Sequence, residues 1–403
     1  MHQNWPEIKE SASLREAVRF FTEQSRVMAC LHIRCGQADL RLEAMGGVRD
    51  LEGRALERDS LFDLASLTKV FTAVLVLLLR DRGSLDLDAP VTRYAPDFRC
   101  LSDVPVRRVL GFGCTLRTPC RVDGQEDAEK AEAVLFQTRA LPSEGRRVYS
   151  DMHAMVLRYV LEGASGLPYM EILRREILLP LGMHNTFCPV PESRRDSCVS
   201  CDLEHRIENG ERKVNRVPPG VCHDPKARVM GLCPGHAGLF ADMDDMERFA
   251  RGLLEGRILK AETLGEMAVN RTGEKLADGS FRQFLGYQCY VRHPQQVYSE
   301  VPAFMSDHAL AISGFTGHHM SLDLDRGFYI LALGNRVLNR LTFIAPSDPQ
   351  TCLELGLTES GRGRVLWDGQ WIESSAGYVF LRDQHMHARV LEAMEAEGRT
   401  FEA

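Results

Sequence analysis

Apolar residues recur with two different periods near the start of the chain. After Ser11 they are spaced by three or four positions, which is typical of a capped amphipathic helix that ends near Gln24. They then occupy every second position over 27–33 and 40–44, on either side of a turn at 35–37. This pattern predicts a helix followed by an antiparallel hairpin.

The longest apolar run covers residues 74–79, shortly after Ser66 and Lys69. It is shorter than the about 20 apolar residues that a helix needs to cross a bilayer, and it carries a lysine at its entrance. We therefore expect this run to form a buried helix at the centre of a globular core.

The segment between residues 91 and 225 has a mainly helical pattern. It shows little strand alternation, and its helical stretches occupy 127–137, 151–163 and 168–179. We interpret it as a helical lobe inserted into the chain.

Strand signals return after Gly238, following a helical stripe at 246–253. The predicted antiparallel strands lie at 287–291, 309–313, 320–324 and 328–333, and a closing helix at 388–396. These elements predict an α/β (α+β) fold. One α/β lobe is formed by residues 1–90 and 226–403, and the mainly helical lobe by residues 91–225.

Length and charge narrow the class of function. With 403 residues the chain has room for two lobes and a cleft between them. Its 49 Lys and Arg residues are balanced by 56 Asp and Glu, without a run of basic residues, so neither a nucleic acid nor a membrane is the expected partner. Residues 1–10 show no pattern of a secretory signal, and we expect a cytoplasmic protein whose twelve cysteines are free thiols.

Ser66 and Lys69 are the first candidates for chemistry. Three residues apart on a helix, they share one face, close enough for the amine to act on the hydroxyl. A serine hydroxyl is a weak nucleophile that needs such activation. Tyr149, in the turn before a predicted helix, is a candidate for a second activating group. The alternatives are a lysine that reaches solvent and a tyrosine that only packs.

Three short motifs, taken in order, carry a resemblance. Ser66-x-x-Lys69, Tyr149-Ser150-Asp151 and Ile312-Ser313-Gly314 resemble those of the class C β-lactamase-related serine hydrolases, within the serine β-lactamase and penicillin-binding protein superfamily. Stretches at 62–69, 180–183, 221–228 and 235–240 are also similar to that branch.

The resemblance implies a fold and a set of roles. The fold is a three-layer lobe with an antiparallel sheet flanked by helices, plus an inserted all-helical lobe, with the active site at their junction. Ser66 would form an acyl-enzyme while Lys69 and Tyr149 exchange its proton. The backbone N–H groups of Ser66 and Phe315 would stabilise the oxyanion. Asp151, Ile312, Ser313 and Gly314 would contact substrate.

Two departures from the family pattern bear on substrate. Ile312 stands where most members have Lys or His, and Asp151 replaces the usual Asn. An ionised Asp151 can only accept hydrogen bonds, although this residue also has the alternative role of a helix cap. The missing cation prompts the hypothesis that His318 or His319 substitutes for it at the cleft.

These departures favour an intracellular serine hydrolase that acts on a small-molecule ester, amide or short peptide. The rivals are a β-lactamase or D-amino-acid peptidase, an acyltransferase that uses an acceptor other than water, and a catalytically silent protein that binds acyl ligands.

Cysteines and histidines in the middle of the chain raise a zinc hypothesis. Cys198 and Cys201 form a CxxC pair, and further ligand types follow at Cys222, His223, Cys233 and His236. Their irregular spacing favours free thiols instead. The prediction is an enzyme without metal or organic cofactor.

Overall fold

The computed structural model describes residues 5–141, 149–231, 233–271, 284–292 and 300–401. The strands within these residues are β1 Ile8–Glu10, β2 Cys30–Gln37, β3 Leu40–Gly47, β4 Phe62–Asp63, β5 Thr115–Arg117, β6 Arg139–Leu141, β7 Glu204–Glu208, β8 Glu211–Asn215, β9 Phe240–Ala241, β10 Tyr290–Val291, β11 Ala309–Gly314, β12 His318–Asp323, β13 Phe328–Asn335, β14 Arg340–Ala345, β15 Arg364–Trp367 and β16 Gln370–Ser374.

The α-helices are α1 Ala12–Arg19, α2 Thr68–Asp81, α3 Val106–Leu110, α4 Ala128–Phe136, α5 Asp151–Ser165, α6 Tyr169–Leu173, α7 Leu179–Leu181, α8 Pro225–Met230, α9 Met243–Leu254, α10 Ala261–Met267, α11 Pro349–Glu354, α12 Tyr378–Arg382 and α13 Ala388–Ala396. Single 3₁₀ turns lie at Ala65–Leu67, Val91–Arg93, Arg99–Leu101, Val122–Gly124 and Glu192–Ser197, and π turns at Phe20–Gln24, Arg174–Leu178 and Asp383–His387.

The main sheet has seven strands in the order β1-β3-β2-β13-β12-β11-β10. The hairpin β2–β3 and the meander β11–β12–β13 are antiparallel, and β13 joins them by pairing with β2. Only β1 runs parallel to its neighbour in this sheet. The predicted hairpin and antiparallel strands are thus present, although the turn of the hairpin lies after Gln37.

Helices cover both faces of this sheet, as β13 shows. Its alternate residues Phe328, Ile330 and Ala332 pack with α1 and α13, whereas Leu331 and Leu333 pack with the core that contains α2. Fully burying one such side chain stabilises the fold by about 1.5–3 kcal/mol. The three-layer α/β fold class is therefore confirmed.

Helix α2 is the central helix of the larger core. Its residues 68–79 are all buried, and they pack with helices of the middle segment as well as with the main sheet. A helix that is apolar on every side requires such complete enclosure. The middle segment also contains β5, β6, β7 and β8, so it is not the all-helical lobe that the resemblance implied.

A second sheet was missed by the sequence pattern. It has five strands in the order β15-β16-β14-β7-β8, and its small core includes Ile207, Leu341 and Ile372. Strands β7 and β8 are rich in charged residues, and β8 is largely exposed, so neither shows the alternation that predicts a strand. Among the described helices, none is long and apolar enough to span a membrane.

Candidate active site

Ser66 lies in a strained turn between β4 and α2. The preceding residue, Ala65, has a φ of 46°, a left-handed conformation that a residue with a Cβ rarely adopts. Asp63 holds this turn: its buried carboxylate accepts hydrogen bonds from the N–H of Ala65 at 3.0 Å and of His223 at 2.6 Å. Strain that the surroundings enforce in this way is common at functional sites. The sequence pattern gave Asp63 no role, and its place three residues before Ser66 was the only available signal.

The Lys69 ammonium contacts the Ser66 hydroxyl. Its Nζ lies 2.8 Å from Ser66 Oγ, 2.8 Å from Asp151 Oδ1 and 3.3 Å from the His236 carbonyl oxygen. The side chain is fully buried. Burial alone lowers the pKa of Lys69, but the charge of Asp151 and the nearby Tyr149 outweigh it and raise the pKa above its ordinary value. Lys69 is therefore an ammonium ion at neutral pH.

Tyr149 completes this wall of the site. Its ring stacks on Tyr290 with centroids 5.3 Å apart, and Lys69 Nζ lies 5.0 Å from the Tyr149 ring centroid. The buried hydroxyl makes no hydrogen bond of good geometry within the described residues, but Ser66 and Lys69 lie close enough to act on it. Burial raises the pKa of Tyr149, while the charge of Lys69 acts in the opposite direction. The phenol thus lies near both Ser66 and Lys69 without a competing partner.

Asp151 is the first residue of α5 and bridges two lysines. Its Oδ1 accepts from Lys69, and its Oδ2 accepts from Lys226 Nζ at 3.1 Å. Burial raises the pKa of Asp151, but the charges of Lys69, His236 and Lys226 bring it well below its usual range. The helix cap is Ser150, whose side chain accepts from the Met152 N–H, so the alternative of Asp151 as the cap is wrong. Lys226 was missed by the sequence reasoning.

The edge strand β11 approaches the Ser66 turn closely. A Cβ added to Gly314 would lie 2.9 Å from the Leu64 carbonyl oxygen, so glycine permits this approach. Ser66, Ser313, Gly314 and Phe315 all line the same cavity. The three sequence motifs are therefore brought together, although the catalytic and oxyanion roles assigned to their residues stay predictions.

Phe315 is held by residues of the second sheet and its connections. The His223 ring stacks on the Phe315 ring, with centroids 5.3 Å apart and planes at 14°. His223 Nε2 lies 2.8 Å from Glu204 Oε2, on β7. On the other side, Arg336 Nε donates to the Phe315 carbonyl oxygen at 2.7 Å. The position of the predicted oxyanion donor thus depends on a sheet that the sequence pattern did not reveal.

Ile312, His318 and His319 do not line the cavity. Ile312 belongs to the buried core, and His318 is held between the Asp63 carbonyl oxygen and the Gly334 N–H. Burial lowers the pKa of His318 to about 4 and that of His319 well below its usual range. Both imidazoles are therefore neutral at physiological pH, and this placement does not support the hypothesis that one of them replaces the missing cation.

A different cation lies at the edge strand. Arg382, on α12, donates through Nη1 to Ser313 Oγ at 2.7 Å and to Glu300 Oε2 at 2.6 Å. His319 Nδ1 lies 3.1 Å from the same Ser313 oxygen. Ser313 thus lines the cavity with its hydroxyl held by Arg382, Glu300 and His319. No local sequence signal connects Arg382 with this strand.

The resulting cavity has a volume of about 510 Å³ and mixed charge. Besides the motif residues, its charged lining consists of Arg121, Asp123, Arg206, Asp224, Lys226, Glu300 and Arg336. Most of these charges are already paired: Arg121 with Asp123, Lys226 with Asp151, and Glu300 with Arg382. The cavity can accept a small molecule next to Ser66 without a strong overall preference for one sign of charge.

Metal-ligating side chains come together at one place in the described part of the chain. Asp151, Asp224 and His236 have ligand atoms within 4.8 Å of one another, but Asp151 is already bound by Lys69 and Lys226, and Asp224 by His236. We therefore assign no metal to this group. The cysteines of the zinc hypothesis are free thiols and do not form a comparable cluster among the described residues.

Comparison with known proteins identifies the group to which this arrangement belongs. Residues 28–343 match the protein-family model described as Beta-lactamase. A Salmonella agona protein, whose name proposes D-alanyl-D-alanine carboxypeptidase activity, is 24% identical over 309 residues, which cover 69% of this chain and 70% of the relative.

Solved structures share the fold at lower identity. EstCE1, described as a hydrolase with promiscuous acyltransferase activity, superposes with a TM-score of 0.64 and 19% identity, over 80% of this chain and 92% of EstCE1. The D-amino acid amidase of Ochrobactrum anthropi, solved with L-phenylalanine amide, gives a TM-score of 0.63 and 19% identity, over 96% of this chain and 99% of the amidase.

Proposed function

The chain belongs to the beta-lactamase family and is a serine hydrolase, and we propose that it cleaves an ester or amide through an acyl intermediate on Ser66. The observation that carries this proposal is the contact of 2.8 Å between Lys69 Nζ and Ser66 Oγ, beside Tyr149 and at the wall of a cavity. A nucleophile, its activating groups and space for a substrate thus lie together, as acyl transfer requires.

The proposed reaction has two steps. Ser66 Oγ forms a bond to the substrate carbonyl carbon, and the Ser66 proton passes by way of the Lys69–Tyr149 pair to the departing alcohol or amine as its bond breaks. Water then attacks the acyl-enzyme and releases the acid, while Ser66 regains a proton. The N–H groups of Ser66 and Phe315 stabilise the negative oxygen in both steps, and one such donor contributes about 3 kcal/mol.

The edge strand bears on the choice of substrate. Glu300 lines the cavity beside Ser313, and the nearby Arg382 is already paired with it. A substrate carboxylate beside Ser313 would meet the Glu300 carboxylate and an arginine that Glu300 already neutralises. We therefore propose that the preferred ester or amide carries no carboxylate at this position, which argues against efficient β-lactam hydrolysis.

A second candidate is the hydrolysis of amides or peptides of D-amino acids. It is favoured by the named activities of the Salmonella relative and the Ochrobactrum amidase. Both candidates use the same Ser66 chemistry and differ in the acyl group. The partner in either case is a small molecule, and the cytoplasmic location expected from the first ten residues stays a prediction.

A substrate panel tests the proposal. Release of product is measured for p-nitrophenyl acetate and butyrate, D- and L-phenylalanine amide, D-alanyl-D-alanine and nitrocefin, with Ser66→Ala as the control. We expect turnover of an ester or an amide that the S66A variant lacks, and nitrocefin turnover at least about tenfold slower in kcat/KM. Equal turnover by S66A would contradict the proposal, and turnover of nitrocefin alone would replace it with a β-lactamase.

A further inference from the structure

Asp151 forms one carboxylate bridge between two lysines at the nucleophile. Lys69 Nζ lies 2.8 Å from Oδ1 and Lys226 Nζ lies 3.1 Å from Oδ2. The two lysines differ in burial: the Lys69 side chain is fully enclosed, whereas that of Lys226 is 25% exposed and lines the cavity. An asparagine at this position would supply no charge to either lysine.

Titratable groups of several neighbouring segments face this bridge, among them His153 of α5, on which the charges of Asp151 and Lys69 act. Tyr149 precedes it on the same segment, and the Asp224–His236 pair, with 2.9 Å between Oδ1 and Nε2, lies next to it. Asp123 acts on Lys226 from the far side and is itself paired with Arg121. Asp151 is the carboxylate that touches Lys69 directly, so its charge has the largest effect on that ammonium.

We propose, on the basis of the function proposed above, that Asp151 is a positioning residue that keeps Lys69 charged beside Ser66 and thereby sets the pH at which Ser66 becomes reactive. A charged ammonium has no lone pair and cannot accept the Ser66 proton. Tyr149, whose hydroxyl makes no other hydrogen bond of good geometry within the described residues, can accept this proton once it has ionised to the phenolate. Burial and the charge of Asp151 raise the pKa of Tyr149, and the positive charge of Lys69 opposes them, so the pH at which the Tyr149 phenolate forms depends on both neighbours.

Two substitutions should shift the pH at which Ser66 becomes reactive, in opposite directions. Asp151→Asn removes a negative charge next to Lys69 and Tyr149, which lowers the pKa of both groups and moves the onset of reactivity to lower pH. Lys226→Met removes a positive charge from the other side of Asp151, so the same onset moves to higher pH by a smaller amount. A merely structural role for Asp151 would not produce shifts of opposite sign.

The measurement is the second-order rate constant for labelling by a fluorophosphonate between pH 6 and pH 11, with the slope of its logarithm against pH compared among variants. In this reaction Ser66 Oγ bonds to phosphorus, the phosphorus–fluorine bond breaks, fluoride leaves, and the Ser66 proton passes to the Tyr149 phenolate and then to solvent. The result expected for D151N is an onset about one to three pH units below that of the wild type. For K226M it lies above that of the wild type. Lys130→Met, at an exposed lysine, is the matched control and should keep the wild-type profile.

Each outcome decides one question. If the wild type is labelled and S66A is not, the proposed function stands, and an unchanged or higher onset in D151N overturns the role of Asp151 alone. If D151N does not fold, an onset in K226M at or below that of the wild type overturns it equally. If the wild type is not labelled at any pH, both the proposed function and this inference fail.

Discussion

The two walls of the cavity are built in different ways. On the nucleophile wall, the buried Lys69 ammonium contacts Ser66, Asp151 and the ring of Tyr149 directly. On the oxyanion wall, the backbone around Phe315 is held from behind by side chains that do not contact the nucleophile. The first wall should therefore respond to substitution mainly in reactivity, and the second mainly in geometry and stability.

The largest effect is expected on the nucleophile wall. Lys69→Met removes the ammonium that contacts Ser66 Oγ, and we expect kcat/KM to fall by about 10³-fold or more, since a nucleophile acts as a unit with its activating group. Ester hydrolysis at pH 7 measures the loss. The control is Lys130→Met, which should remain within about twofold of the wild type. A K69M variant that keeps a tenth of the wild-type activity would contradict the expected difference between the two walls.

A smaller loss of kcat/KM is expected when the two walls are moved apart. Gly314→Ala places a Cβ 2.9 Å from the Leu64 carbonyl oxygen, so β11 must move away from the Ser66 turn. A displacement of this kind costs about 10²-fold in kcat/KM.

The matched control for this change is Gly265→Ala. An added Cβ there meets no atom within 4 Å, and this variant on α10 should be slightly more stable than the wild type with unchanged activity. If G314A were as active as G265A, activity would not depend on the close approach of β11 to the Ser66 turn.

On the oxyanion wall the effect should be on stability. Arg382→Met leaves the Glu300 carboxylate without its partner, and we expect the free energy of unfolding to fall by about 2 kcal/mol. The double variant E300Q/R382M should recover most of this loss, because no unpaired charge remains. Urea denaturation measures both. A loss of activity in R382M as large as that of K69M would show that the two walls do not differ as described.

The smallest effect is expected on the pH dependence of stability, through the second sheet. Burial raises the pKa of Glu204, but His223 and Thr342 more than offset this and hold it at about 2, below the ordinary value. The ionised carboxylate therefore contributes stability above roughly pH 5, and this contribution is lost progressively as the pH falls toward 2. Glu204→Gln should flatten the decline in unfolding free energy between pH 5 and pH 3. An unchanged decline would exclude this link between β7 and Phe315.

The fold could be predicted where one periodicity dominates a segment. Helix α13 matches its predicted range 388–396, and α5 begins at the predicted residue 151, because apolar faces at helical spacing mark both. The second sheet could not be predicted, since β7 reads Glu-His-Arg-Ile-Glu and its pairing with β14 joins residues far apart in the chain. A local sequence pattern carries no information about which distant strands pair with each other.

The residues of the site also divide into those that a local motif predicts and those that it does not. Ser66, Lys69 and Tyr149 were named from the sequence because their motifs are local, and the structure places them together. Asp63 and Lys226 lie within the matched stretches but were given no role, and Arg336 and Arg382 were not singled out, because each acts through a contact with a residue distant in sequence or through the backbone. His318 and His319 were named because they follow the edge strand closely in sequence. Both side chains are buried, and neither lines the cavity.

The central claim is that Ser66 is the nucleophile of this serine hydrolase. The most direct test is the intact mass of the protein after exposure to a fluorophosphonate, followed by peptide mapping, for the wild type and for Ser66→Ala. We predict one adduct per wild-type chain, located on the peptide that contains Ser66, and no adduct on S66A. An adduct on another residue, or equal labelling of S66A, would contradict the account.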